Sequence, residues 1–341
     1  MLKRLIVLTI IVIALFSCAK KSTEWNQKNV LQLEWAVPLV GNPLDLDAYE
    51  SRVYVSEDQG GLSVINLNNF SRQWLTEIVS SDGDTITLVK VRRVSVDGDL
   101  KRVFFNETDG SDLIMVVDST NPDSLVVVDR VTGATQDISS MMFQKINDPG
   151  SQFTYEGLFT AGRRANYGKF GTHIAGLPPY FAITMPIENP STCRGAFMTS
   201  QHIYTAIEQR GMMIYNRSGA IVGSVDLPGE AQKVKVVGNY AYVACRQSGL
   251  QIVDVSNPAN PVRVGSYDTT GYATNLDVWN NYAIVSSGGG GVYLFDVTNP
   301  ANPVLLDNIT SCGYANNVMF HNGKALVLGR DRGLLIYNIV P

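Results

Sequence analysis

Three observations predict an all-β fold built from repeated four-stranded antiparallel sheets. A unit recurs every 42 residues towards the C-terminus, short apolar runs are punctuated by turn residues, and the 341 residues include 30 Gly and 14 Pro. The repeat is the strongest of the three. Asp254–Val262 (DVSNPANPV) returns as Asp296–Val304 (DVTNPANPV) with eight of nine positions identical. Gly229, Gly271 and Gly313 keep the same interval, as do Gly249, Gly291 and Gly333, so a whole structural unit is repeated.

Within one unit the pattern predicts strands over 234–237, 240–243, 250–254 and 262–267. The first two are separated by Gly238-Asn239, matched by Asn280-Asn281 and Asn322-Gly323, residues that accept the positive φ of a tight hairpin. The last two are separated by Ser-Asn-Pro-Ala-Asn-Pro, where proline removes donors and ends the ladder. Four antiparallel strands in about 40 residues are the dimensions of a β-propeller blade. A solenoid of β-hairpins is the alternative.

Weaker copies extend the array towards the N-terminus. Gly61–Asn66, Gly211–Asn216 and Leu113–Asp118 read as third strands, and Asn-Arg-Ser-Gly219 replaces the longer proline loop after Asn216. Residues 131–190 fit least well, with Tyr180–Pro190 reading as a degenerate third strand and loop. About seven blades are expected if this segment forms one, and six if it is an insertion. The last unit stops at Pro341 after its third strand. Val30–Gly41 has the composition of the missing fourth strand, including a Pro-x-Val-Gly echo of Pro261–Gly265, which predicts a ring closed by an N-terminal strand joining the C-terminal blade.

GLQIVDVSNPANPV and GVYLFDVTNPANPV resemble the bacterial and archaeal surface repeat named after its Leu-Val-Ile-Val-Asp core. The resemblance is close over roughly 229–341. It implies a propeller at the cell surface with a role in interaction and no established reaction.

The N-terminus supplies an address. Lys3 and Arg4 precede an apolar run, Leu5–Phe16, too short for the roughly 20 residues of a membrane-spanning helix. The following Leu15-Phe16-Ser17-Cys18 resembles a bacterial lipoprotein signal, although Phe16 is bulkier than usual. The expected organisation is a signal peptide over 1–17, lipidated Cys18 with a polar tether over 18–29, and a propeller over 30–341. The protein is then held in the bacterial envelope through its lipid, at the outer membrane or cell surface.

Charge and motifs narrow the function. With 27 Lys+Arg against 31 Asp+Glu there is no basic field for nucleic acid. His173, His202 and His321 are far apart, and no nucleophile elbow or phosphate loop occurs. No catalytic residue, metal site or cofactor is assigned, and Asp82-Gly-Asp84 and Asp97-Gly-Asp99 read as hairpin turns before calcium loops. Cys193, Cys245 and Cys312 allow at most one internal disulfide and read as buried small side chains.

In a propeller, the loops joining blades share one face with the loops between second and third strands. That face places Gln232, Tyr272, Asn275, Tyr314 and Asn317 from the first set beside Arg246, Arg330 and Arg332 from the second. Tyrosine, amides and arginine suit recognition of an envelope protein or glycan, or serve as repeated packing residues. The other second-to-third loops, among them Glu57-Asp58-Gln59, are polar and individually distinct, and Arg163–Tyr167 is a further basic and aromatic patch. The expected function is therefore a binding or scaffolding module. The alternative is a propeller hydrolase or lactonase with a metal in its central channel.

Overall fold

The computed structural model describes residues 29–107, 113–131, 137–148, 150–151, 153–171 and 181–340. Cys18 and the signal segment lie outside these residues, as does His173. Among the described residues there is no helix; seven sheets follow one another in sequence. Blades 1 to 6 occupy 45–75, 91–131, 138–188, 193–225, 233–267 and 275–309. Blade 7 combines three strands of 315–339 with Leu31–Val37. The first strand of each blade packs against the first strand of the next, and that of blade 7 against that of blade 1. This is a closed seven-bladed β-propeller.

Closure rests on Leu31–Val37 pairing antiparallel with Gly333–Ile339, in the register Leu31 to Ile339 and Val37 to Leu334. Seven apolar clusters lie one at each blade interface. The cluster at the junction of the two chain ends, with Val37, Leu46, Val55, Leu328 and Ile336, is as buried as the others. Trp35 adds a stack on Phe70 of blade 1 at 5.1 Å. As the chain leaves this strand, Val40 and Gly41 donate their N–H groups to the fully buried Glu57 carboxylate at 2.8 and 2.9 Å, and Arg72 and Ser63 complete its shell. Glu57 therefore seats the seam and is no recognition residue.

The repeat motif has a packing role. A bulge in the fourth strand brings Gly223 and Gly265 against the proline loop of the following blade, where a β-carbon would overlap the carbonyls of Pro258 and Pro300. In blade 6 the same position is Asp307. Blade 7 has no proline loop, because its fourth strand comes from the N-terminal end, and Asp307 instead accepts the buried N–H of Leu31 at 2.8 Å. Between blades 5 and 6 the change from Gly265 to Asp307 at this position is thus a fitting for the seam.

Two expectations need correction. Phe181–Glu188 is the fourth strand of blade 3; the third is Arg164–Gly171. The Asn-Pro that suggested a proline loop does different work, as Asn189 accepts hydrogen bonds from Thr205 and Tyr215 of blade 4. Blade 2 has six strands, because a hairpin of Glu77–Ser80 and Thr85–Thr87, turning at Asp82-Gly-Asp84, adds outside its fourth strand in parallel. Asp97-Gly-Asp99 is likewise a hairpin turn, with Asp97 accepting the N–H of Leu100. The three cysteines are unbridged and buried, and burial pushes the thiol of Cys245 up to about 12 and that of Cys312 to about 11.

Asp307→Ala is expected to lower the unfolding free energy by about 1–3 kcal/mol, the cost of an orphaned buried N–H. Asp307→Gly, which restores the residue of the neighbouring units, is expected to lose as much. Urea unfolding followed by tryptophan fluorescence checks both.

Candidate ligand site at the channel mouth

Each first strand is a sheet edge, so its outward N–H groups need partners from the preceding blade. Channel-facing side chains supply several. Asp47 accepts from Val96 at 2.8 Å, Ser95 from Phe143 at 3.0 Å, and Asp277 from Phe320 at 2.8 Å. On one face, the loop after each second strand also bridges to the segment entering the next blade. Arg246 and Ala273 exchange two backbone hydrogen bonds, as do Asp58 and Val91, and Gly288 accepts one from Ala315. These bridges fix the rim of a cavity of about 280 Å³ at the channel mouth, to which every blade contributes.

The rim is polar and cationic. Arg93, Arg194, Lys233 and Arg330 face it with one carboxylate, Asp45. Asp45 is engaged by Asn317 Nδ2 at 2.7 Å and by the Val94 N–H at 3.3 Å, and Arg194 is paired with Glu208 at 2.5 Å. The Arg93 guanidinium donates to the carbonyls of Ser139 and Arg92. Lys233 is half-buried, its ammonium makes no hydrogen bond or ion pair with any described residue, and burial lowers its pKa, with Arg93 and Lys235 adding to the effect and Asp45 and Asp277 opposing it. Below the rim the channel carries a Lys235–Asp277 ion pair at 2.5 Å and Asp47, then Met142, Phe197 and Met319.

Of the residues selected from sequence, Gln232, Asn275, Tyr314, Asn317 and Arg330 line the cavity; Tyr272, Arg246 and Arg332 do not. The two equivalent tyrosines diverge for a local reason. Arg246 lies over Tyr272 at 4.9 Å and is held by Glu230 at 2.6 Å. In the next unit the position of Arg246 is Gly288, and Tyr314 lies on it, since a β-carbon there would meet the ring at 3.0 Å. Arg330 then covers Tyr314 from blade 7 at 4.1 Å. Asn317 joins blade 7 to blade 1 through Asp45 and so belongs to the frame as well as the site.

The 163–167 patch is internally paired. Arg163 donates to the Asn189 carbonyl, Arg164 meets Glu188 at 2.5 Å, and Tyr167 donates to Glu156 beneath Arg217. Arg163 and Arg164 are exposed, but each is already engaged within its own blade. Sequence reasoning did not single out Arg93, Arg194, Asp45 or Asp47, which lie in blades without a clear repeat. Lys235 and Asp277 were findable, being one period apart on the channel side of their strands.

The LVIVD repeat family matches residues 228–269 and 270–311, which are blades 5 and 6 with the loops that enter them. The chain is a β-propeller that carries LVIVD repeats in these two blades. None of the curated proteins matches the LVIVD propeller in sequence. Solved structures similar to it include the β-propeller domain of Myceliophteria thermophila Cps50 (Swd1), with TM-score 0.68 and 8% identity over 91% of this chain and 100% of that one. The WD40 β-propeller domain of Doa1 gives 0.67 and 12% over 91% and 97%. The computationally designed Ika8 protein gives 0.62 and 10% over 90% and 100%. At these identities the likeness is one of fold.

The Asp47 carboxyl is raised by burial to about 6, with Asp45 adding and the Val96 and Ala48 N–H groups opposing. The folded protein therefore takes up this proton first as pH falls, so the ionised group lowers stability above pH 6 and stops doing so below about 4. Asp47→Asn keeps an acceptor for Val96. With solvent screening in the channel allowed for, it is expected to raise Tm by about 2 °C at pH 8 and to leave it unchanged at pH 4. Calorimetry at the two pH values checks this.

Proposed function

We propose that the LVIVD propeller is an exported binding or scaffolding module, attached to the bacterial envelope through a lipid on Cys18, that engages an envelope glycan or protein at the channel mouth. The supporting observation is the rim itself: a concave polar cavity, contributed by all seven blades, whose cations outnumber its carboxylates. The signal-like N-terminus with its Leu15–Cys18 motif supports the address. The closed ring suits a scaffold, because its edges are paired and its loops project from a rigid frame.

The address and the recognition face are separately testable. Cys18→Ser is expected to abolish incorporation of labelled palmitate and to move the protein from the membrane to the soluble fraction; undiminished labelling contradicts the anchor. Full-length protein in detergent, used as bait in envelope extract, is expected to retain a ligand that Arg330→Ser weakens at least fivefold. Retention equal to that of a loop-scrambled control contradicts the module.

A further inference from the structure

We propose that the channel mouth holds a single carboxylated sugar unit, its carboxylate against Lys233 and Arg93 and its hydroxyls against the surrounding amides. This rests on the binding-module reading and adds the chemistry of the ligand. The chain as a whole has an acidic excess, yet the mouth is cationic. Of its four cations, only Arg194 has a carboxylate within ion-pair distance among the described residues. Lys233 is half-buried and its ammonium has no ion pair or hydrogen bond among the described residues; Asp45 and Asp277 act on it only through space, so an anion seated against it would stabilise its charge. The Arg93 guanidinium is held in place by two carbonyls through Nε and Nη1, and Nη2 has no partner among the described residues, which leaves it free to donate to a carboxylate oxygen.

Charge alone would fit inorganic phosphate or an acidic peptide equally. The neutral groups favour a sugar. Gln232, Thr274, Asn275 and Ser140 face the same space and offer donors and acceptors matched to several hydroxyls around one acid. Leu44 is the one aliphatic side chain among the described lining residues, and the ring of the one aromatic, Tyr314, lies between Gly288 and Arg330, so little open apolar surface is left to anchor a peptide. About 280 Å³ lies at the small end of ligand sites and suits one monosaccharide, free or at the end of a glycan.

The test is titration calorimetry on full-length protein in detergent with glucuronate, a glucuronate-terminated disaccharide, glucose, inorganic phosphate and hexaglutamate. Glucuronate or its disaccharide is expected to bind at least tenfold tighter than glucose, phosphate or hexaglutamate, and the stronger of the two shows whether the sugar is taken free or at a chain end. Lys233→Met is expected to weaken binding at least tenfold while unfolding at or above the wild-type temperature, and Arg332→Gln, outside the cavity, to leave it unchanged. The proposal is overturned by glucose binding as well as glucuronate, by phosphate or hexaglutamate binding more tightly, by no binding at millimolar sugar, or by wild-type affinity in folded Lys233→Met. Envelope capture that persists alongside any of these results removes the sugar and leaves the module standing.

Discussion

The pairing of Leu31–Val37 with Gly333–Ile339 is the interaction on which the rest of the molecule depends. A blade buries its faces only against neighbours, so seven blades in an open row would leave two apolar faces and two sheet edges in water. Closing the row with strands from both chain ends removes both problems together. The seam is reinforced at three heights. Asp307 holds the first residue of the N-terminal strand, the apolar cluster fills its middle, and Glu57 takes up the N–H groups where the chain turns into blade 1.

That closure also creates the site. First strands of a propeller are edges facing a channel, and their outward donors are met by carboxylates and hydroxyls of the preceding blade. Asp47, Ser95 and Asp277 are there to stitch one blade to the next. Their charge is partly matched by Lys235, whereas Lys233 and Arg93, one layer higher, are not matched by any acid bonded to them. Arg93 also joins blade 2 to blade 3 through the Ser139 carbonyl, whereas the Lys233 ammonium makes no such stitch among the described residues. This distinction between stitching and unmatched groups separates frame residues such as Asn317 from ligand-facing ones.

The sequence made the fold legible because blades 5, 6 and 7 keep the same residues at 42-residue intervals and because Val30–Gly41 has the composition of a fourth strand, which pairs with Gly333–Ile339. Blade 3 was only partly legible. Its Asn-Pro imitates the proline loop while Asn189 serves as a buried acceptor for blade 4, so the same dipeptide carries two different jobs. The extra hairpin of blade 2 has no counterpart in other units and left no periodic trace. At the site, repeat offsets located Asn275, Asn317 and Arg330, but offsets cannot tell which equivalent side chain turns inward. Tyr314 does and Tyr272 does not, and the difference lies in Gly288 standing where another blade has Arg246.

Hydrogen exchange resolved to single amides reads the ring closure directly. If the two chain ends form one cooperative sheet, the amides of Leu31–Val37 that face Gly333–Ile339 exchange no faster than paired amides in the outer strands of blades 5 and 6, and all slow together. Exchange of the N-terminal strand within seconds, while the other blades stay protected, would mean that the ring is not closed by this strand.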